Sequence, residues 1–360
     1  MAYTNIDDPS AHFQNVLWTG NGTAGNAVTF DGNSDMQPDF VWSKKRNGAT
    51  SHVLKDTSRG GTSNNDLHLV SNSSAAESTY ANYRMDFDSD GFTLDGVGDT
   101  GFQGSGTSMV SWSWKANGGT TASNSNGSIT STVQANTDAG FSIVQYTGTG
   151  TAATIGHGLG VAPAMYIIKN RDQTGTNWTV FHKDLTSNAY SLYLNEAQAQ
   201  SNSVGYWNGT SPTSTVFSIK NTSGDVNTNT EDYVVYCFAE KQGYSKFGTY
   251  LGNGGTAGSG GNAFVYTGFS PAWIMIKNIE NTTVHWAIHD NKRNGYNNGN
   301  QRVWANRTNS ESGAAIDFLS NGFKITSTAG GYGVSGQKYI YMAFAESPFV
   351  TSTGIPTTAR

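Results

Sequence analysis

An apolar run of fixed length recurs three times in this chain, and that recurrence limits what the chain can fold into more than any other feature. The copies are PDFVWSK (Pro38 to Lys44), PAMYIIK (Pro163 to Lys169) and PAWIMIK (Pro271 to Lys277), with the lysine six positions after the proline each time. Other features fall into register around them, as true internal repeats require. An aromatic residue and a glycine-rich turn precede each copy, in WTGNG (Trp18 to Gly22), YTGTG (Tyr146 to Gly150) and YLGNG (Tyr250 to Gly254). A second apolar stretch ending in an acid follows, in HVLKD (His52 to Asp56), WTVFHKD (Trp178 to Asp184) and WAIHD (Trp286 to Asp290). Next come DGFTL (Asp90 to Leu94), VFSI (Val216 to Ile219) and NGFKI (Asn321 to Ile325). The units close with MVSWSWKA (Met109 to Ala116), YVVYCFAE (Tyr233 to Glu240) and YIYMAFAE (Tyr339 to Glu346). Opening and closing aromatics lie 96, 92 and 94 positions apart, for Trp18 to Trp114, Tyr146 to Phe238 and Tyr250 to Phe344.

The short runs are rich in Val, Ile, Tyr, Phe and Trp and are separated by Gly, Asn and Asp, which reads as strands and turns. Eleven Leu and seven Glu in 360 residues leave little material for amphipathic helices. The expected fold is therefore all-β, with three tandem antiparallel β-sandwich repeats of jelly-roll or lectin-like type. In the last closing run Tyr339, Tyr341, Ala343 and Ala345 share one face and Ile340, Met342, Phe344 and Glu346 the other. Both faces are largely apolar, so such a strand should be covered on both sides. The third signature run alternates in the same way, Ala272, Ile274 and Ile276 against Trp273, Met275 and Lys277. Pro271 belongs at its entrance, and Lys277 is expected at its wet end, its stem covering the rim of the core.

The domain reading is an N-terminal arm at 1–13, repeats at 14–116, 141–241 and 242–347, and a C-terminal tail at 348–360. The Ser/Thr/Asn/Gly-rich stretch 117–140 reads as a flexible linker or as a strap along a neighbour. Only KQGYSK (Lys241 to Lys246) joins the second and third repeats. A rigid pair with a more loosely tethered first domain is expected.

Aromatics make up 12% of the chain and are clustered, which argues against disorder despite 44 glycines. A net charge of −5 lacks the basic footprint of a nucleic-acid binder. The start, MAYTNIDDPSAHF, has acids where a signal peptide would be basic, and no run of about 20 apolar residues suggests membrane insertion. The single cysteine, Cys237, cannot form an intrachain disulfide, so stability is expected to come from packing or assembly.

DFDSDG (Asp86 to Gly91) matches the opening of a calcium loop, with Asp86, Asp88 and Asp90 at alternate positions. The twelfth position is Val97 rather than Glu, and the third unit's DFLSNG (Asp317 to Gly322) keeps the turn while losing two acids. A shared β-turn accounts for both copies, so Ca²⁺ at these three aspartates is the single cofactor considered, against an expectation of none. His52, His182 and His289 lie four, two and one positions before Asp56, Asp184 and Asp290. A catalytic pair would not tolerate such slippage. Cys237 sits within an apolar strand, where thiols are inert, and GHGLG (Gly156 to Gly160) reads as a turn. No enzymatic activity is expected. Surface recognition remains: GYWNGTS (Gly205 to Ser211) and QRVWANRTN (Gln301 to Asn309) set Tyr206, Trp207 and Trp304 among amides and hydroxyls, the materials of a glycan contact.

With the repeats aligned, the chain resembles a family of virion structural proteins of marine tailed phages, of the kind infecting cyanobacteria and other oceanic bacteria, that are tail-fibre-like. The resemblance is carried by residues 17–42, SDGFTL (Ser89 to Leu94), GHGLGVAPAMYIIKNRD (Gly156 to Asp172), residues 236–254, FLSNGFKI (Phe318 to Ile325) and residues 339–360. It implies a non-enzymatic bacteriophage protein on the virion surface, tail or capsid, made in the host cytoplasm. The leading role is a tail-associated fibre or adhesin subunit for host attachment. The alternatives are a capsid decoration or head-fibre protein and a free carbohydrate-binding module. Its expected partners are copies of itself, most simply as a homotrimer, other tail or capsid proteins, and host cell-surface polysaccharide.

Overall fold

A computed structural model of the chain describes residues 3–98, 101–221, 223–255, 263–293 and 301–357. The fold is all-β, built from several antiparallel sheets, and the three sequence units repeat one strand order. In unit 1 the opening strand Phe13–Thr19 pairs with the closing strand Ser108–Trp114, which pairs with the signature strand Phe40–Lys45, and that with the flanking strand Val53–Asp56. Unit 2 repeats this with Phe141–Thr147, Asp232–Phe238, Met165–Asn170 and Thr179–His182. Unit 3 repeats it with Ser245–Leu251, Lys338–Pro348, Phe269–Asn278 and Ala287–Asp290. Each unit adds a smaller sheet. These are Asn26–Val28, Gly91–Leu94 and Met85–Asp88 in unit 1, Ala153–Gly156 with Val216–Ile219 in unit 2, and Phe264–Tyr266, Gly322–Ile325 and Ile316–Leu319 in unit 3.

The double-sided apolar pattern now has a physical reason. In the closing strand of unit 3, Tyr339, Tyr341, Ala343 and Ala345 join a cluster with Val265, Phe323 and Ile325 of the unit's own small sheet. Ile340, Met342 and Phe344 face a different cluster, which also contains Trp112 and Trp114 of unit 1 and Tyr236 and Phe238 of unit 2. Each larger sheet thus has a private core on one face and a core common to all three units on the other. At the centre of the common core the equivalent residues Trp114, Phe238 and Phe344 touch one another, with ring centroids 6.2, 5.6 and 6.0 Å apart. Burial of each such ring contributes about 1.5–3 kcal/mol. A cavity beside them, lined by Trp114, Tyr236, Phe238, Trp273 and Met342, has a volume of only about 10 Å³.

The third signature strand splits as its alternation predicts, Ile274 and Ile276 inward to the private core and Trp273 and Met275 to the common one. Ala272 departs from the pattern and lies in the common core, because the pairing register shifts between Ser270 and Trp273.

Two expectations are corrected. Of the two readings of 117–140 the flexible linker is corrected and the strap holds: Ala122–Asn124 and Ser131–Asn136 are strands that extend the unit 2 sheet beyond its opening strand. Unit 1 is not loosely held either, since Phe13, Trp112 and Trp114 are fixed in the common core. The N-terminal arm joins them, with Ile6 buried in that core and Thr4 Oγ1 donating to the carbonyl of Gln242 at 2.8 Å.

Candidate functional site

The residues with the most perturbed chemistry lie where the units meet. Lys44, Lys169 and Lys277 are all completely buried, which corrects the expectation of a wet strand end. Each ammonium reaches across to a backbone carbonyl of another unit: Lys44 to Thr308 at 3.2 Å, Lys169 to Ser74 at 3.3 Å and Lys277 to Ala197 at 2.9 Å. Each also bonds a nearer carbonyl, of Lys45, Thr176 and Val284 respectively. These contacts run in a cycle, unit 1 onto unit 3, unit 2 onto unit 1 and unit 3 onto unit 2. Two residues beyond each lysine the cycle repeats in the backbone, where the carbonyls of Arg46, Arg171 and Ile279 accept from the amides of Glu311, Glu77 and Gln200 at 3.1, 2.8 and 3.0 Å. One position before the flanking strands, His52, Trp178 and Trp286 donate ring N–H bonds to the carbonyls of Trp304, Val70 and Tyr193 at 2.9, 3.0 and 2.8 Å. The three sets obey the same cycle.

Burial lowers the pKa of Lys44 and Lys169 to about 8 and of Lys277 to about 7. Removal of the ammonium from water is offset by carbonyl acceptors, and among the described residues no carboxylate bonds any of the three. The signal was in the sequence, as a lysine at constant spacing in every copy. It was misread because lysines are rarely buried.

The other titratable groups are held in the same structural way. His52 Nδ1 accepts from the Trp42 indole at 2.8 Å, leaving Nε2–H to donate to Trp304. His182 Nδ1 accepts from the Asp184 amide and its Nε2 bonds the Tyr341 carbonyl. Burial lowers the pKa of both rings, that of His182 to about 4. His289 Nε2 bonds the Tyr332 hydroxyl at 2.9 Å. Cys237 is buried and its thiol pKa is pushed up by desolvation, the opposite of an activated nucleophile.

The sequence-derived site residues are scattered rather than gathered. Tyr206 and Trp207 are core residues: Trp207 packs edge-on against Tyr166 and donates to the Tyr190 carbonyl at 2.9 Å, and the Tyr206 hydroxyl bonds Asp225 and Tyr193. Trp304 is half-buried, with the Arg302 guanidinium 4.6 Å from its ring centroid. Tyr206 and Trp207 offer no free ring face to a sugar, because the loop that carries them folds back over the core, whereas Trp304 ends the strand Gln301–Trp304 with the Arg302 guanidinium against its ring. The acids of the calcium-like motif are also used locally. Asp86 accepts from the Asn64 amide, Asp88 from Thr93 Oγ1 at 2.8 Å and Asp90 from the Met36 amide at 3.2 Å. Among the described residues no group of three His, Cys, Asp or Glu is placed to hold a metal ion.

Two open concavities lie near the end where the signature strands begin. One, of about 460 Å³, is lined by Val161, Pro163, Phe181, Lys183, Pro212 and Glu240, and another of about 500 Å³ by Tyr3, Asn5, His12, Asp138 and Lys241. In the second, Thr4 Oγ1 donates to the Gln242 carbonyl at 2.8 Å and His12 Nδ1 bonds the Asn136 side-chain amide at 3.1 Å.

Residues 8–348 match the family model described as Domain of unknown function (DUF7483). The chain belongs to this family. The matched span covers all three units, so the family model describes the whole cycle and not one unit of it. No curated protein and no solved structure matches the chain.

Proposed function

We propose that this chain is a non-enzymatic structural protein of a bacteriophage virion, a tail-associated fibre or adhesin subunit that contributes to host-surface recognition, built from three tandem antiparallel β-sandwich repeats. The observation that carries the non-catalytic reading is the fate of the reactive groups. The buried lysines, His52 and His182 are engaged by carbonyls within and between units, and desolvation pushes the pKa of the buried Cys237 thiol up, so none of these groups is set up for proton transfer or nucleophilic attack. The cyclic contacts suit an exposed particle component. They close a stable three-unit body without a disulfide, and within one chain they supply the threefold arrangement that the resemblance would otherwise assign to three chains.

Labelling of purified particles with an antibody to the chain, together with counting copies by quantitative mass spectrometry, tests this reading. A small number of copies confined to the tail is the expected result. Many copies spread over the head would replace it with a capsid decoration role, and absence from the particle would overturn both.

A further inference from the structure

The three small sheets are equivalent, yet their outer edges are not. In each, one residue of the edge strand pairs inward, Val28 with Phe92, Ile155 with Phe217 and Val265 with Phe323. Its neighbours therefore aim their amides and carbonyls away from the sheet. In unit 2 that edge is covered by the chain's own polar stretch. Ile129 forms a parallel bridge to Ile155 and donates to the Thr154 carbonyl at 3.1 Å, and Ser128 Oγ accepts from the Thr154 amide at 2.9 Å. The strap is seated closely: a Cβ on Gly127 would fall 2.3 Å from the Thr154 oxygen. In unit 3 only residues 239–244 lie between the closing strand of unit 2 and the opening strand, too few for a second strap. The positions of Thr154 and Gly156 are taken there by Phe264 and Tyr266, which are 49% and 53% exposed. Nothing among the described residues hydrogen-bonds their outward amides or carbonyls. Unit 1 is also uncovered, but with Ala27 and Thr29 at those places its edge is small and readily solvated.

We propose that the Phe264–Tyr266 edge docks an extended segment of another protein by strand addition, in the way residues 127–131 cover unit 2. The partner's segment is small-residue-rich where it crosses the edge. It carries an aliphatic residue in the place of Ile129 and further apolar residues beside it to lie against the Phe264 and Tyr266 rings. Three residues span only about 10 Å of strand, so the contact with the segment is short and weak, within the range that the titration below covers. The proposal does not depend on the virion reading.

The probe is a labelled ten-residue peptide with the sequence of residues 124–133, carrying valine in place of Ser128 and Thr130, titrated against the full chain by fluorescence anisotropy. Saturable binding is expected. Phe264→Pro, which removes the outward amide at a position where an edge strand accepts proline, should weaken it at least tenfold. Phe264→Thr, which restores the unit 2 residue, should weaken it by less, and Ala27→Pro on the unit 1 edge should leave it unchanged. Thermal midpoints of the variants establish that each is folded. Absence of saturable binding up to roughly 1 mM, the weakest range worth calling specific, would overturn the proposal, as would equal binding to Phe264→Pro. Binding of a soluble polysaccharide that Phe264→Thr abolishes, with no peptide binding, would also overturn it by making the patch a glycan platform.

Discussion

The joint between units 1 and 2 and the joint between units 2 and 3 share one backbone frame and differ in what fills it. Where unit 2 meets unit 1, Arg59 is buried against Asp56 at 2.5 Å and against Glu77, Tyr236 donates to Asp56 at 2.7 Å, and Arg171 adds a second cation to Glu77 at 2.7 Å. Where unit 3 meets unit 2, the equivalent places hold His182, Leu185 and Gln200, with Met342 standing in for Tyr236. The joint of unit 1 on unit 3 follows the first pattern, with Asp290 paired to Arg293 at 2.6 Å and receiving the Trp112 indole at 3.0 Å. The lysine and amide contacts close the cycle, whereas the level occupied by Asp56, His182 and Asp290 distinguishes one joint from another. A unit docked in the wrong place would leave a buried charge without its partner, which disfavours wrong arrangements more than it stabilises the right one.

The sharpest way to break this comparison is Asp56→Ala, which leaves buried Arg59 with Glu77 as its one remaining carboxylate and strips Tyr236 of its acceptor, and it should cost about 3 kcal/mol in denaturant unfolding. His182→Gln at the matching place of the neutral joint should cost only about 1 kcal/mol. Equal losses would mean that the ionic joint is not special. Next in size, Lys44→Met, Lys169→Met and Lys277→Met each strand carbonyls that the ammonium served, at about 1–3 kcal/mol apiece. Similar values at all three would support a common frame, and a loss confined to one would dismantle it.

The pH dependence sharpens the contrast further. Burial lowers the folded pKa of Lys277 from 10.5 to about 7, so between those values the unfolded chain holds the extra proton and stability rises with pH. Lys277→Met should flatten that rise in the thermal midpoint. His182 is lowered from 6.5 to about 4, so stability falls as the pH drops through that window, and His182→Gln should reduce the slope there. Burial alone would raise the pKa of Glu77, but Arg59 and Arg171 outweigh it and lower the value below 4.5. Its contribution is therefore complete above that pH and is lost only in stronger acid, a slope that His182→Gln should leave in place. The smallest effect belongs to the exposed pair of Lys292 and Asp31, 2.7 Å apart across the unit 1 and unit 3 boundary. Asp31→Asn should change stability by less than about 1 kcal/mol, and by less still in high salt.

Much of the β architecture was legible in the sequence, because alternation on a strand depends on local geometry alone. Tyr339, Tyr341, Ala343 and Ala345 separate from Ile340, Met342 and Phe344 as the period of two requires. The candidate site was less legible, for reasons that differ between residues. Tyr206 and Trp207 sit among polar residues in sequence, but those residues belong to loops that fold over the core, and chain neighbours do not reveal what lies above a ring. Asp86, Asp88 and Asp90 have the spacing of a cation loop, yet a hairpin sends each carboxylate to a different amide or hydroxyl. Residues 117–140 have the composition of a linker, and their strands exist because the unit 2 sheet offers them an edge.

The sequence by itself determined the three units, their strands and the two apolar faces of each closing strand, since these follow from periodicity and residue type over short distances. The tertiary structure decided what those faces meet. Closure of the cycle turned three outer faces into one core and carried Lys44, Lys169 and Lys277 out of water to carbonyls far away in the chain. It also left Phe264 and Tyr266 exposed where the equivalent edge of unit 2 is covered. Such contacts join residues with no local relation in the sequence, so only the folded chain can set them.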